Sequence, residues 1–436
     1  MLKAPPTSLL SSLEPGGWRR RPLRRSPPPI SAALMTNPAY FEVGRYLGGY
    51  GFMNITSYSS SQFGGLPDVA GIRDLGLGYS PEEIERLRAQ DVGEGEVNIR
   101  LYEGRVVQGP LKGTETVFKV YPGSRFGASE ADLMAVNELR THVFLQNDAS
   151  DISDNIQFLL GAFETATGEQ VYHISLPIHK LSIQWCETDA AFIQWLAFRD
   201  DGRYSAADYA KLSSERKLKE QSGSTSFWNP YDRAYRLELR QYFVLRLLNG
   251  AMTGLVHMHS HDRLHQSLGP SSVVLNTAAD KNGRYLVPRL RDLAFSVDIG
   301  YSSVGDGALS DGLWRRATAA GASTTLEKRA FGIADDIYGA GLLLAYMSFI
   351  PFCEAGIMDG ISLQRLLENT FRLDIYAARE YLLADDRLSE AVNFLDLGDG
   401  AGWELLQAML NPDYRKRPIA EAVLNHRFMT GAVLWN

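Results

Sequence analysis

From Val97 onward the apolar and polar positions fall into short runs with a period near two. VNIRLY, RVVQG and TVFKVY are separated by EG and by PLKGTE, punctuation of the hairpin kind, and predict three antiparallel strands. The period then changes. ASEADLMAVNELRTHVFLQ sets Leu133, Val136, Leu139 and Val143 at helical spacing behind Ser129 and an acidic first turn, which predicts a helix. NIQFLLGAF and VYHISLP read as two further strands, and the remainder is mainly helical. The order of strands, one helix, strands and helices predicts an α+β chain.

The part before Val97 carries no such period. Ala39 to Gly65, including YLGGYGFMNITSYSSSQFGG, is rich in Gly, Tyr and Ser and reads as an irregular linker. A short helix is expected from SPEEIERLRAQ, with Ser80 as N-cap, Pro81 in the first turn and Glu83 closing a capping box. The first 35 residues differ again, with Arg19, Arg20, Arg21, Arg24 and Arg25, many Ser and Pro, and Glu14 as the single acid. Arg- and Ser-rich, acid-poor composition without an apolar core points to an organelle transit peptide over residues 1–35, a plain basic tail being the alternative. Its Pro and Ser content favours the plastid (chloroplast) over the mitochondrion.

Composition narrows the function classes. A chain of 436 residues with 45% hydrophobic content can bury more than one core unit. The net charge of -7 argues against a nucleic-acid partner. Cys186 and Cys353 stand far apart with no Cys/His cluster, so neither a disulfide framework nor a zinc site is expected. The run GAGLLLAYMSFIPFCEAG, from Gly339, is nearly apolar enough to span a bilayer, but Pro351 interrupts it. It reads as a buried core helix, so no transmembrane helix is expected, and peripheral membrane association stays open.

Several motifs together resemble the protein kinase superfamily. VFKVY resembles its third strand, with Lys119 as the phosphate-binding lysine and Glu138 in the next helix as its partner. LRQYFVLRLLNGAMTGLVHMHSHDRLHQSLGPSSVVLN resembles the long helix and catalytic loop, with His265, Leu268 and Pro270 in the H-R-D-L-K-P-x-N pattern. RLRDLAFS resembles the metal-binding turn, with Asp292 opening an altered D-F-G. DDIYGAGLLLAY is similar to the core helix, with Asp336 as the acid that ties down the catalytic loop. NPDYRKRPIAEAVLNHRF carries Arg417, Pro418, Leu424 and His426 of the terminal pattern. HDRL at His261 to Leu264 offers a competing register, but it would put Gln266 at the proline position and Leu268 at the asparagine.

The departures fall on the chemistry. Ser267 stands where the family's catalytic aspartate accepts the substrate proton, and a hydroxyl cannot serve as that base near neutral pH. Gly269 replaces the loop lysine, Ser272 the second metal ligand, and Gln266 the arginine that reads a phosphorylated activation loop. Counting back from Lys119 puts Gly104 at the last glycine of the glycine-rich loop, with Ile99 and Leu101 where the first two belong. SVDIGYSSVGDGALSDGLWRR holds the activation-segment place without an A-P-E motif, and its Ser and Gly suggest mobility.

The resemblance implies a two-lobed protein kinase-like fold: an antiparallel-sheet N-lobe over 95–180 with one long helix, and a mainly helical C-lobe over 181–432. Residues 36–94 are a linker with the short helix, and Phe198 to Arg233 is a charged insertion read as a solvated loop, a docking site being the sharper alternative. The cofactor implied is ATP with Mg²⁺, at Gly104, Lys119, Glu138 and Asp292, its binding weakened or lost. Asp292 is the implied metal ligand; Asp336 and Arg417 are structural. The expected function is that of a pseudokinase, a scaffold or regulatory module for unidentified protein partners in a plastid. The alternative is an active Ser/Thr kinase or slow ATPase using unorthodox residues.

Overall fold

The structure is a computed structural model that describes residues 34–52, 97–122, 131–147, 152–166, 192–222, 230–300 and 308–431. The basic segment up to residue 33, the helix expected from Ser80 and the strand expected at VYHISLP lie outside the described residues.

Five antiparallel strands form one sheet in the order β1-β2-β3-β5-β4: β1 Phe41–Phe52, β2 Val97–Val106, β3 Glu115–Tyr121, β4 Leu159–Ala166 and β5 Phe192–Arg199. Helix α1, Ala131–Leu145, packs on one face with Ile99, Tyr121, Leu159, Leu196 and Phe198. The helix is where its period places it, but its buried face is turned. Met134, Ala135, Glu138, Thr141 and His142 point inward while Leu133 is exposed. Ala131 and Ala135 let α1 approach closely, and that approach carries Glu138 inside.

Several expectations about this lobe are overturned. Phe41–Phe52 is a strand, not linker: it pairs with β2 from Phe41 opposite Val106 to Phe52 opposite Val97. Register shifts between Val43 and Tyr46 and between Tyr46 and Gly48 break its alternation, so no period of two can be read there. VNIRLY and RVVQG are likewise one strand, with Glu103 and Gly104 in its middle. The lobe therefore starts well before residue 95. Met35 is buried, donates to the Leu160 carbonyl and accepts from the Ala162 amide, both at 3.1 Å, so Met35 is part of the lobe. The lobe also runs on through β5, past the expected boundary at 181.

The charged segment after β5 is not a solvated loop. It holds β6 Tyr204–Ser205 and helix α2 Ala206–Ser222, whose Ala206, Tyr209, Ala210, Ser213, Ser214 and Lys217 are buried. Tyr209 stacks on Phe243 at 4.2 Å, and Lys217 pairs with Glu390 at 2.9 Å. A buried stripe made of Ala, Ser, Tyr and a paired Lys leaves little hydrophobic signal.

The larger, helical lobe follows. Helix α3 Pro230–Ser260 leads to short strands β7 Arg263–Leu264, β8 Val273–Leu275, β9 Pro288–Leu290 and β10 Val297–Asp298, which pair β7 with β10 and place β8 between β6 and β9. Then come α4 Asp311–Ala319, α5 Thr325–Phe349, α6 Gly360–Arg365, α7 Ile375–Leu383, α8 Ser389–Met409 and α9 Ala420–Leu424. Helix α5 begins on a capping box between Thr324 and Glu327 and is the centre of the lobe, buried almost continuously from Phe331 to Phe349. Its apolar window is long enough to cross a membrane but is 89% buried inside the protein. The activation-segment place is only partly described. Over Asp311–Ala319 it is a packed helix, with Leu313, Trp314 and Ala317 buried and Arg316 paired with Asp335 at 2.7 Å, rather than the mobile stretch its composition suggests.

Candidate functional site

The cleft between the lobes is built from β3, α1 and the loops on either side of β8 and β9. Strand β3 turns Lys119 inward, and α1 brings Glu138 to meet it. The Lys119 ammonium lies 2.7 Å from Glu138 Oε2 and 2.7 Å from Asp292 Oδ1, and all three residues are buried. Tyr121, two residues along the same strand face, donates its hydroxyl to Glu138 Oε2, and the Leu293 amide donates to Oε1 at 3.3 Å. Asn137 clamps the neighbouring turn, its side-chain amide donating to the carbonyls of Ala294 and Ser296 at 2.8 Å each. Beside the ion pair, His142 is fully buried one helical turn from Glu138. Burial above all, with the positive charge of Lys119, lowers its pKa to about 3, so it is neutral.

Asp336, on α5, organises the loop that starts at His265. It accepts from the backbone amides of His265 at 2.7 Å and Gln266 at 2.9 Å, from the Gln266 side chain at 3.1 Å and from His259 Nε2 at 2.9 Å. Burial alone would raise this carboxyl, but the hydrogen bonds from His259 and from the His265 amide hold it below the usual range. Gln266 and Asp292 both take left-handed backbone, φ 59° and 65°. These two bends turn the loop and the strand end toward each other. His265 Nε2 donates to the Arg291 carbonyl at 3.1 Å, which leaves Nδ1 to accept from the Ser267 amide at 3.3 Å. Burial lowers the His265 pKa despite the nearby carboxylates.

The replaced positions are engaged with the protein itself. Ser267 donates its hydroxyl to the Asp292 carbonyl at 2.8 Å. Ser272 Oγ accepts from the Gly269 amide at 2.9 Å and donates to the Gly269 carbonyl at 2.8 Å, closing a small turn. Asp292 has cations at both oxygens: Lys119 at Oδ1, and Arg291 Nε 3.3 Å from Oδ2.

No family model and no curated protein matches the chain. Among solved structures it is similar to a Stt7 homolog from Micromonas algae, in a crystal soaked with ATP, at 16% identity, covering 96% of this chain and 98% of that one with a TM-score of 0.51. The chain has a protein kinase-like fold. It is also similar to the kinase region of twitchin from C. elegans, at 12% identity over 76% of this chain and 43% of that one, with a TM-score of 0.42.

Within the kinase-like fold, the expected site residues can now be placed. Lys119, Glu138 and Asp292 meet, and His265, Ser267, Gly269 and Ser272 line the loop below them. Gly104 is not with them. It sits inside β2 opposite Val43 and Thr116, where an added Cβ would come 2.2 Å from the Glu42 carbonyl and 2.4 Å from the Phe118 ring. Glycine is required there by the close approach of β1, not by a phosphate. The β1–β2 connection, residues 53–96, lies outside the described residues. Arg417 is remote too, donating to the Asn411 carbonyl at 2.8 Å and the Ala334 carbonyl at 3.0 Å, and it ties the C-terminal segment to α5.

Sequence reasoning missed Tyr121, Asn137, His259 and Arg291. Asn137 and Arg291 had a local signal, since each adjoins a residue already singled out, and Tyr121 lies two positions from Lys119 on the same strand. The Mg²⁺ implied by the kinase-like fold does not fit the donor set. Magnesium asks for carboxylate, phosphate and water oxygens in an octahedron. Among the described residues the cleft offers Asp292, with both oxygens next to cations, Glu138, already engaged by Lys119 and Tyr121, and a Ser272 hydroxyl held within its own turn. No group of three His, Cys, Asp or Glu among the described residues is placed to hold a metal.

Proposed function

We propose that the protein is a pseudokinase: a kinase-like regulatory or scaffold module whose cleft retains a weak nucleotide site without turnover. The observation that carries this reading is Ser267. It occupies the place of the catalytic base and directs its hydroxyl to the Asp292 carbonyl. A serine has no carboxylate to take a substrate proton, and general-base assistance is worth about 10²- to 10⁴-fold. Gly269 and Ser272 remove a cation and a metal ligand, and phosphoryl transfer rests mainly on positioning and charge neutralisation. Retention of the Lys119–Glu138 pair supports a residual phosphate site. It is also the observation that favours the second reading, an active Ser/Thr kinase or slow ATPase with unorthodox residues.

Purified protein with labelled ATP and Mg²⁺ or Mn²⁺ separates the two. No phosphate transfer above background is expected. Robust incorporation abolished by Asp292→Ala would overturn the pseudokinase reading. The place of work we propose is the plastid, on the composition of the first 35 residues. Exclusion of a tagged full-length chain from plastids would remove that part.

A further inference from the structure

Two short stretches of chain connect the lobes away from the Lys119 cluster. The first is the link from β5 to β6. The Arg199 amide donates to the Phe158 carbonyl at 2.9 Å and the Asp200 amide to the Glu115 carbonyl at 3.0 Å, which fixes the start of the link to the sheet. Its end is fixed to the larger lobe. Gly202, at φ 138°, lies so close to β8 that an added Cβ would stand 2.1 Å from the Leu275 carbonyl, and Tyr204 and Ser205 pair with β8. The second stretch is residues 155–158, which run into β4. Ile156 is buried in the core of the larger lobe and Phe158 in that of the sheet. Strand β9 holds this stretch through Leu290, whose amide donates to the Asn155 carbonyl at 2.8 Å and whose carbonyl accepts from the Gln157 amide at 2.9 Å.

Asp201 ties the two stretches together. Its side chain is 5% exposed; Oδ1 accepts from Arg199 Nε at 2.7 Å, and Oδ2 lies 3.4 Å from Arg289 Nε. Arg199 ends β5 in the sheet, and Arg289 is the middle residue of β9, next to Leu290. One buried carboxylate thus stands between a guanidinium of each lobe. A hinge opens by letting a few link residues absorb the rotation. Here such a rotation would draw Arg289 off Asp201 and pull the 155–157 backbone from Leu290, and it would leave a buried carboxylate short of one of its cations. We propose that Asp201 locks the link between the lobes, so that the chain works as one rigid body and does not open and close around a ligand. The inference goes beyond the reading of the cleft, since it holds with the cleft filled or empty. What it adds to a scaffold is a surface of fixed shape across both lobes.

Hydrogen exchange on the full chain, read by mass spectrometry, tests the lock at the Gln157 and Leu290 amides, which bond across the lobes. Asp201→Asn keeps the shape and removes the charge. It should speed exchange at both amides by at least about tenfold, the mark of local opening, while the amides of α5 from Phe331 to Phe349 keep the wild-type rate. Asp201→Glu should return most of the protection, because a carboxylate again stands between the two arginines. Arg289→Gln should act in the same direction as Asp201→Asn, and the double variant should fall short of the product of the two single effects, since both break one interaction. Wild-type rates at Gln157 and Leu290 in Asp201→Asn would overturn the proposal. So would a rise of equal size in α5, which would make Asp201 a contributor to global stability and no lock. If Asp201→Asn does not fold, Arg289→Gln carries the same readout without touching the carboxylate: local acceleration supports the lock, and unchanged exchange overturns it.

Discussion

Ser267 and Asp292 are joined by the Ser267 hydroxyl, which donates to the Asp292 backbone carbonyl at 2.8 Å. The bond fastens the loop to the strand end that carries the cleft's acid. Ser267→Ala should therefore cost about 1 kcal/mol, the usual net worth of such a bond. Ser267→Asp should cost more, about 1–3 kcal/mol, because a buried carboxylate would face a carbonyl with no proton to share. Urea midpoints check both. The aspartate variant should also gain no phosphotransfer, since Gly269 and Ser272 remain; labelled phosphate in its products would show that Ser267 alone is the block.

Lys119 pairs with two acids whose side chains are 1% and 3% exposed. Lys119→Met should destabilise by about 3–5 kcal/mol, the cost of stranding buried charge. Combining it with Glu138→Gln should recover part of that loss, a coupling of at least about 1 kcal/mol for groups in contact. A double-mutant cycle by chemical denaturation measures it, and strictly additive losses would mean that the two residues do not share one charge network.

His142 sets a pH slope. Its folded pKa is about 3, while the unfolded chain titrates near 6.5. Between those values the unfolded state holds a proton that the folded state refuses, so stability falls as pH falls, by up to about 1.4 kcal/mol per pH unit from this group. His142→Phe, which keeps a ring against Phe198, should flatten the stability profile between about pH 4 and 6 by that amount. A slope equal to wild type would show that His142 is not held neutral.

Gly104→Ala drives a methyl into the Glu42 carbonyl and the Phe118 ring. We expect a loss of about 1–3 kcal/mol from the forced separation of β1 and β2, with the nucleotide affinity of the folded protein unchanged. Unchanged stability with lost nucleotide affinity would return Gly104 to the phosphate site.

How much of this was legible depended on whether local pattern and tertiary demand agreed. The helix at Ala131–Leu145 and strand β3 were readable because apolar spacing and period coincide there. The buried face of α1 was not, since its inward residues include Glu138 and His142, chosen for charge rather than hydrophobicity. β1 was hidden by its register shifts and glycines. α2 was hidden by a stripe of Ala and Ser. Lys119, Glu138, Asp292 and Asp336 could be found from motif order alone. Arg291 could not, because its meaning lies in a carboxylate oxygen 3.3 Å away and in the loop that aims it.

Helix α5 has a consequence for how the chain is made. Its packing partners include α3, which precedes it, and α8, which is synthesised after it. At ~5–20 residues per second, the ribosome leaves this apolar helix exposed for several seconds before Ser389–Met409 emerges to cover it. During that interval it has the length and hydropathy of a membrane segment. Nascent chains truncated before Ser389 should therefore be bound by chaperones or membranes, and the completed chain should be released from both.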